Sequence, residues 1–305
     1  MRVLVAGTGG VGGFFGARLA RAGVAVTFLA RGAHLAAMQR SGLRVRSTAD
    51  GEWVVPVDAV ADVAGRPPAD VVLFCVKSFD TETAAAAIRP AVGPATAVVS
   101  LQNGVDNEDR LDRVLGPGHA VGGVAYVFAG IEAPGVIAHR LLGRVVVGEL
   151  DGRPSPRLEA LREALTTAGV PAEVVPDIRR TLWQKYLLIT AQAGMTALAR
   201  APIGVVRAVP ETWRMYRAIV EELAALARAE GVTLPADVVD AVVKSAEGLA
   251  PEARSSLFDD LEQGRRLELE ALHGHAVRLG ERHGVPTPMV SAVYAALKPH
   301  AAGRP

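Results

Sequence analysis

The feature that most constrains the fold of this chain is a glycine-rich turn directly after its first apolar segment. Residues 2–6 read RVLVA and residues 7–12 read GTGGVG. A helical pattern then closes on Gly23, before a second apolar segment at 24–31. A G-x-G-x-x-G turn between a strand and a helix is the fingerprint of a dinucleotide-binding βαβ unit. The sequence therefore predicts such a unit at residues 2–31, although a glycine turn can also bind nothing.

The glycines of this turn have separate expected uses. The first permits the tight turn, the second lets the backbone approach a pyrophosphate, and the third lets the helix pack on the strand. The N-terminus of the following helix offers N–H groups and the positive end of its dipole to phosphates. We therefore expect cofactor contacts from Gly7, Thr8, Gly9, Gly10, Val11 and Gly12.

The end of the second strand indicates which dinucleotide binds. An Asp or Glu there would accept hydrogen bonds from a ribose 2′-hydroxyl and favour NAD. This chain has Arg31 instead, in the run FLARGAH. A guanidinium presents a fork of donors suited to a 2′-phosphate. The sequence therefore predicts NADP(H), with an ordinary surface arginine as the alternative.

Two further buried strands, within 70–77 and 95–104, end in polar residues. Ligands of open α/β sheets bind outside the carboxyl ends of the strands. We therefore predict cofactor contacts from Lys77, Gln102 and Asn103. The alternatives are a solvated strand end for Lys77 and a plain turn for Asn103. Between the second strand and these two, residues 43–57 are typical of a hairpin that turns at Asp50-Gly51.

The pattern changes from strand to helix after Pro176. The predicted class is α/β, with a Rossmann-type dinucleotide-binding domain at 1–176 followed by an all-helical substrate and catalytic domain at 177–305. A chain of 305 residues fits two domains better than one core. The predicted helices cover 177–200, 211–231, 235–249, 265–284 and 288–300.

Lys185 is the only charged residue in the otherwise apolar helical segment 183–198. Burying an ammonium costs several kcal/mol unless another group compensates it. At 100° per residue, Lys185 shares one stripe of the helix with Ile189, Gln192 and Thr196. Such a stripe fits the lining of a ligand cleft, and it makes Lys185 a candidate proton donor. The alternative is a lysine whose stem packs while its tip reaches water.

Composition excludes several classes of function. The net charge is +1, without a basic stripe, so nucleic acid is not an expected partner. Cys75 is the only cysteine, so no intrachain disulfide can form.

No signal-peptide pattern opens the sequence, and the apolar run 120–131 is too short to span a bilayer. We therefore expect a cytoplasmic protein and no membrane association. His273 and His275 lack companion ligands, so we expect them on a helix surface and predict no metal.

Ordered motifs resemble the ketopantoate reductase (2-dehydropantoate 2-reductase) family over nearly the whole length. They are GTGGVGG, LAR with Arg31, CVKSFDT with Lys77, LQNGVDN with Asn103, WQKYLLITAQAGMTAL with Lys185, and SSLFDDLEQGRRLELEALHG with Ser256 and Glu268. The resemblance implies NADPH-dependent reduction of 2-dehydropantoate to (R)-pantoate, on the route to pantothenate and coenzyme A. It also implies Lys185 as general acid, Glu268 in the lysine and substrate network, and Ser256 and Asn103 as substrate or cofactor contacts.

The sequence departs from this family where the best-known members carry asparagines, four and eight residues after the lysine. Here these positions are Ile189 and Ala193, and Gln192 could make one of the missing substrate hydrogen bonds. Two alternatives therefore stay open: an NADPH-dependent reductase of a different 2-keto acid, and an NADPH-binding regulator without turnover. The apolar helices of the second half bury either a homodimer interface or only their own core.

Overall fold

The computed structural model describes residues 1–304, which form two compact units. Residues 1–102 and 106–178 form the first unit, while residues 103–105 join the chain from Arg179 onward in the second. The predicted α/β class is confirmed, with a Rossmann-type N-terminal domain and a helical C-terminal domain. The boundary predicted at residue 176 lies two residues before this division (178 − 176).

The first unit is built on one ten-stranded sheet within the described chain. Its strands are β1 (Arg2–Ala6), β2 (Ala25–Leu29), β3 (Leu43–Ser47), β4 (Gly51–Val55), β5 (Asp58–Val60), β6 (Ala69–Phe74), β7 (Val92–Ser100), β8 (Ala120–Ala133), β9 (Val136–Gly148) and β10 (Ala172–Val174). Six strands are mutually parallel in the order β5-β2-β1-β6-β7-β8, and β9 joins β8 in antiparallel register. Beyond β9 lie β3 and β4, and β10 also pairs with β9.

Helices cover both faces of the parallel strands, which explains why these strands read as continuous apolar runs. Side chains alternate along β1: Val3 and Val5 pack in one buried cluster, Leu4 and Ala6 in another. The first cluster includes Phe14 of the helix that follows the glycine turn. The helices of this unit are α1 (Gly10–Arg21), α2 (Gly32–Ser41), α3 (Thr81–Ile88), α4 (Asn107–Leu115) and α5 (Pro156–Thr167).

The hairpin predicted within 43–57 is confirmed as the antiparallel pair β3–β4, in which Ser47 faces Gly51. The sequence does not indicate where this hairpin lies in the sheet. Although the hairpin follows β2 in sequence, β3 pairs with β9 in parallel register. The hairpin therefore extends the sheet at the edge opposite β2 and β5.

The second unit is helical and packs around one apolar core that includes Tyr186, Tyr216 and Leu223. Glu222 accepts hydrogen bonds from the N–H groups of Met289 (2.8 Å) and Val290 (2.9 Å), so a carboxylate satisfies the start of the last long helix. The helices are α6 (Ile178–Ala199), α7 (Ile203–Ala208), α8 (Pro210–Ala229), α9 (Val238–Glu247), α10 (Ser256–Glu262), α11 (His275–His283) and α12 (Pro288–Leu297). Within residues 1–304, none of the helices has the length and apolar character needed to cross a bilayer.

The helix predicted over 265–284 is wrong in its first part. Residues 265–268 are not helical, and the helical geometry begins with a π-helical turn at Glu270–Gly274 that continues into α11. The Leu267 N–H donates to the carbonyl of Ala301 (3.0 Å), so this backbone is paired with the end of the chain instead of with a helix. Glu268 consequently lies on an irregular segment just before the π-turn.

Candidate functional site

The glycine turn after β1 has the shape that a dinucleotide requires. Gly7 has φ of +95°, and a Cβ there would lie 2.7 Å from the backbone nitrogen of Val76. Gly9 is different, because a Cβ there would meet no atom of residues 1–304 within 4 Å. Gly7 is therefore needed for the turn and its packing on the strand-end loop. Gly9 leaves open space beside the backbone, as close approach of a pyrophosphate demands.

The N-terminus of α1 is available to a ligand. Gly9 is its N-cap and has no side chain to accept a bond from the helix N–H groups, and the first turn carries no acidic residue. Thr8 is buried, and its hydroxyl donates to the carbonyl of Leu29 (3.0 Å), so only its backbone can serve a ligand. Gly10 lies against the backbone of β8, where a Cβ would come 2.7 Å from the Gly130 nitrogen. The residues present therefore fit phosphates held by backbone N–H groups.

His34 on α2 supports the same turn and was not singled out by sequence reasoning. Its Nδ1 accepts a hydrogen bond from the N–H of Gly135 (3.0 Å). Burial lowers the pKa of His34, while the backbone of Thr8 acts in the opposite direction. The His34 ring therefore holds the loop between β8 and β9 through its Nδ1 and lies close to the backbone of the glycine turn. A lone histidine on a short helix gives no sequence signal for such a role.

Arg31 stands at the start of α2, directly after β2. Its side chain is 93% exposed and lies 3.5 Å from a carboxylate oxygen of Asp80. An exposed pair at this distance holds an arginine weakly. The guanidinium is therefore able to reach a phosphate next to the β2 end, which is where NADP(H) differs from NAD(H).

Lys77 and Gln102 follow neighbouring strands at the same edge of the sheet. Lys77 is exposed just beyond β6. Gln102 is buried, and its amide nitrogen donates to the carbonyl of Val76 (3.0 Å) and to the Thr81 hydroxyl (2.8 Å). Because both donors of Gln102 are used, we propose that its side chain orders this edge instead of contacting the cofactor. Thr81 shares this role and was missed, because nothing marks it within an alanine-rich helix.

Asn103 lies outside the sheet unit, although it follows β7 in sequence. Residues 103–105 group with the helical unit, where Val105 packs against the apolar core. Gly104 makes this path possible with φ of +116°, which other residues rarely adopt. Asn103 therefore belongs to the same unit as the candidate catalytic residues.

Lys185 and Glu268 interact within the helical unit. Lys185 lies on α6 and is only partly exposed, and desolvation of its ammonium lowers its pKa to about 8. The charge of Glu268 acts in the opposite direction, favouring the ammonium. Glu268 itself is 7% exposed. A lysine of this kind is mostly protonated at neutral pH and yet releases a proton more readily than a solvated one.

The polar stripe of α6 continues from Lys185 to Gln192 and Thr196, both buried. The Thr196 hydroxyl donates to the carbonyl of Gln192 (2.7 Å) and lies 2.8 Å from the hydroxyl of Ser255. Ser255 is also the N-cap of α10 and accepts from the N–H of Phe258 (3.1 Å). The predicted substrate residue Ser256 is exposed at the first position of α10. Sequence alone could not decide which of two adjacent serines caps the helix.

These two serines give a matched pair of variants. We expect Ser255→Ala to lower the free energy of unfolding by about 1–2 kcal/mol, because it removes an N-cap and the contact with Thr196. We expect Ser256→Ala, a change at an exposed position, to leave the free energy of unfolding within about 0.5 kcal/mol. Urea denaturation measures both. A stable Ser255→Ala protein would contradict the assignment of the cap.

The expectation that His273 lies on a helix surface is wrong, because the side chain is 0% exposed. Its burial lowers its pKa to about 4, so the ring is neutral. Among the described residues, no group of three or more His, Cys, Asp or Glu side chains is arranged to hold a metal ion. Burial also raises the pKa of Cys75, which keeps it as a thiol.

Comparison with known proteins matches both units to one family. Residues 3–152 match the family profile described as "Ketopantoate reductase PanE/ApbA", and residues 177–301 match "Ketopantoate reductase PanE/ApbA C terminal". A 2-dehydropantoate 2-reductase of Archaeoglobus fulgidus is 36% identical, covering 93% of this chain and 92% of its own. A crystal structure of a PanE/ApbA family ketopantoate reductase from Ralstonia eutropha JMP134 is also 36% identical, with a TM-score of 0.91 over 99% of this chain and 98% of its own.

Two more distant structures share the fold. D-mandelate dehydrogenase, solved with NADH and anilino(oxo)acetate, is 21% identical, with a TM-score of 0.90 over 99% of this chain and 98% of its own. A dimeric ketopantoate reductase from Staphylococcus aureus is 19% identical, with a TM-score of 0.83 over 99% of each chain. At these identities the likeness concerns the fold alone.

Proposed function

Since the chain belongs to the ketopantoate reductase family, we propose that it reduces 2-dehydropantoate to (R)-pantoate with NADPH, on the route to pantothenate and coenzyme A. Family membership confirms the predicted enzyme class, an oxidoreductase acting on CH–OH groups, and the predicted cofactor, because ketopantoate reductases use NADPH. The observation that carries the proposal is the partly desolvated Lys185 beside Glu268, in a stretch of α6 (residues 183–198) that has no other charged residue.

The first unit holds the dinucleotide in this proposal. Backbone N–H groups at Gly9–Gly12 bind the phosphates, and Arg31 binds the 2′-phosphate of the adenosine. Lys77 lies at the same strand edge, on the nicotinamide side of the crevice that such sheets use. When bound, NADPH supplies a hydride to the carbonyl carbon of the keto acid.

The second unit supplies the proton. As the carbonyl carbon becomes tetrahedral, negative charge grows on its oxygen, and the Lys185 ammonium stabilises that charge and transfers one proton from Nζ. Glu268 keeps the amine charged before the reaction and afterwards favours its reprotonation from water. Asn103, Gln192 and Ser256 complete the substrate contacts. The balance is one hydride and one proton added to one carbonyl group.

The pH dependence of the reaction follows from Lys185. A general acid must be protonated, so kcat/KM for reduction should be constant below the pKa of the lysine and fall tenfold per pH unit above it. We expect the bend near pH 8, where burial places this pKa. Initial rates between pH 6 and pH 10, at fixed ionic strength, measure it. A flat profile up to pH 10 would remove Lys185 from the proton transfer.

Ile189 and Ala193 support a second candidate, reduction of a different 2-keto acid. Ile189 packs against the apolar core and Ala193 is buried, so this part of α6 offers no amide to a substrate hydroxyl. Gln192 is the remaining amide on the stripe. An apolar substituent on the keto acid suits such a surface better than the hydroxymethyl arm of 2-dehydropantoate does.

A substrate panel tests these candidates directly. NADPH oxidation is followed with 2-dehydropantoate, its analogue lacking the terminal hydroxyl, and unbranched 2-keto acids of increasing length. The highest kcat/KM with 2-dehydropantoate supports the first candidate, and preference for the deoxy analogue supports the second. Tight NADPH binding without oxidation by any member would favour the regulator instead.

We further propose a cytoplasmic location and a homodimer. The dimer is supported by large apolar side chains exposed on neighbouring strands, among them Phe128 of β8 and Leu141 and Leu142 of β9. Phe128 and Leu141 face each other across the two strands, so they form one surface. Light scattering during gel filtration measures the mass, which a Phe128→Glu/Leu141→Glu variant should halve.

A further inference from the structure

A hydrogen bond joins the helix that carries the lysine to the segment that carries the glutamate. The Tyr186 hydroxyl donates to the carbonyl of Leu272, and both residues are buried. Tyr186 directly follows Lys185, while Leu272 lies four residues after Glu268 in the π-turn. This bond fixes one point of the π-turn against α6.

A second point of contact lies two helical turns further along α6. A Cβ at Gly194 would overlap the imidazole of His273 and would also lie 2.9 Å from Cγ1 of Val293. The His273 ring therefore fills a notch that exists only because residue 194 has no side chain. Gly194 and Tyr186 are eight residues apart, which is about 12 Å along a helix axis.

His273 is an unusual residue to place in this notch. It is 0% exposed, and among the described residues neither ring nitrogen makes a hydrogen bond of good geometry, although the backbone of Thr190 acts to raise its pKa. Leaving buried polar atoms unpaired costs free energy that an apolar side chain of similar size would avoid. A π-helical turn, which adds a residue to the helical repeat, is also rare and frequently lies at a functional site. Both features call for a role beyond filling the core.

We propose that His273 is a positioning residue: its ring in the Gly194 notch, together with the Tyr186–Leu272 bond, sets the distance and angle between the Lys185 ammonium and the Glu268 carboxylate. This inference rests on the proposed function. Two fixed points determine both the height and the rotation of the π-turn on α6, and Glu268 lies just before that turn. A displacement of about 1 Å in such a pair can cost 10²-fold in rate.

The sharpest test adds one methyl group at the notch. We expect Gly194→Ala to push the His273 ring and the π-turn away from α6, lowering kcat about 10- to 100-fold while the Kd for NADPH stays within twofold. Glu268 would also move away from Lys185, so its charge would raise the pKa of the lysine less. The alkaline bend of the pH profile should therefore move to lower pH, in the same direction as in Glu268→Gln.

A second substitution should relieve the clash without restoring the positioning. Gly194→Ala/His273→Ala removes the ring that the new methyl group meets, so we expect its kcat and the pH of its bend to match those of His273→Ala alone instead of showing the sum of the two single effects. The control for general loss of stability is Val243→Ala, a buried change on α9. Val243→Ala should lower the melting temperature and leave the alkaline bend of the pH profile at the same pH as in the parent protein.

The outcomes separate this inference from the proposed function. If Gly194→Ala folds and keeps both the kcat and the pH bend of the parent protein, the positioning role is overturned. If Gly194→Ala does not fold, Tyr186→Phe and His273→Ala decide, and an unshifted bend in both overturns it as well. If Lys185→Ala itself keeps full activity, the proposed function fails, whatever the Gly194 variants show.

Discussion

Replacing Lys185 by alanine is expected to lower kcat by about 10²–10⁴, the range that a positioned general acid contributes. The loss should lie in kcat more than in the binding of NADPH, because the residues that fit the dinucleotide belong to the other unit. The pH profile of the residual activity should also lose its bend near pH 8, since the titrating amine is gone. Stopped-flow NADPH oxidation and fluorescence titration of NADPH measure these effects separately.

The matched control is Lys244→Ala, which removes an exposed lysine from α9 in the same unit. It should change kcat by less than twofold. If Lys185→Ala behaves like this control, the lysine packs its stem on the core and serves no chemistry.

Replacing Arg31 by alanine is expected to reduce kcat/KM for NADPH about 10- to 150-fold, while kcat/KM for NADH changes little. Hydrogen bonds to a charged group contribute about 1.5–3 kcal/mol, and about 1.4 kcal/mol corresponds to tenfold. The guanidinium is 93% exposed, so its removal should leave the melting temperature unchanged. The ratio of the two efficiencies, measured at one salt concentration, is the quantity to compare.

Arg40→Ala provides the comparison, because Arg40 is an exposed arginine on the same helix, α2. A general loss of positive charge would weaken NADPH binding similarly in both variants. Specific reading of the 2′-phosphate requires the loss to be confined to Arg31→Ala. An unchanged preference in Arg31→Ala would move the discrimination elsewhere.

Much of the first unit could be predicted because its signals are local. The GTGGVG turn, the apolar strands on either side and the Asp50-Gly51 hairpin each depend on a few adjacent residues. The position of β3 beside β9 could not be predicted, since the partner strand lies about ninety residues away and parallel pairing leaves no turn signal. Periodicity likewise predicted α6 and the stripe that starts at Lys185.

The second unit is harder to predict from sequence where the backbone pairs with a distant segment although the local pattern is helical. The run RRLELEALHGHAVRLGERHG has helical composition, yet Leu267 pairs with Ala301 and the helix starts late. The sequence predicts His273 on a helix surface because it has no companion metal ligands in its segment. Its notch at Gly194 is a tertiary feature between residues 79 positions apart (273 − 194). No local pattern carries that information.

The tripeptide 103–105 has a practical consequence for anyone cutting or recombining this gene. A gene fragment that starts at residue 179 would encode the helices without Val105, one of the side chains that pack against their apolar core. A chimaera joined at that point would pair the helices of one parent with the tripeptide of the other. An exchange of the complete helical unit between relatives should therefore include residues 103–105 together with all residues from Arg179 onward.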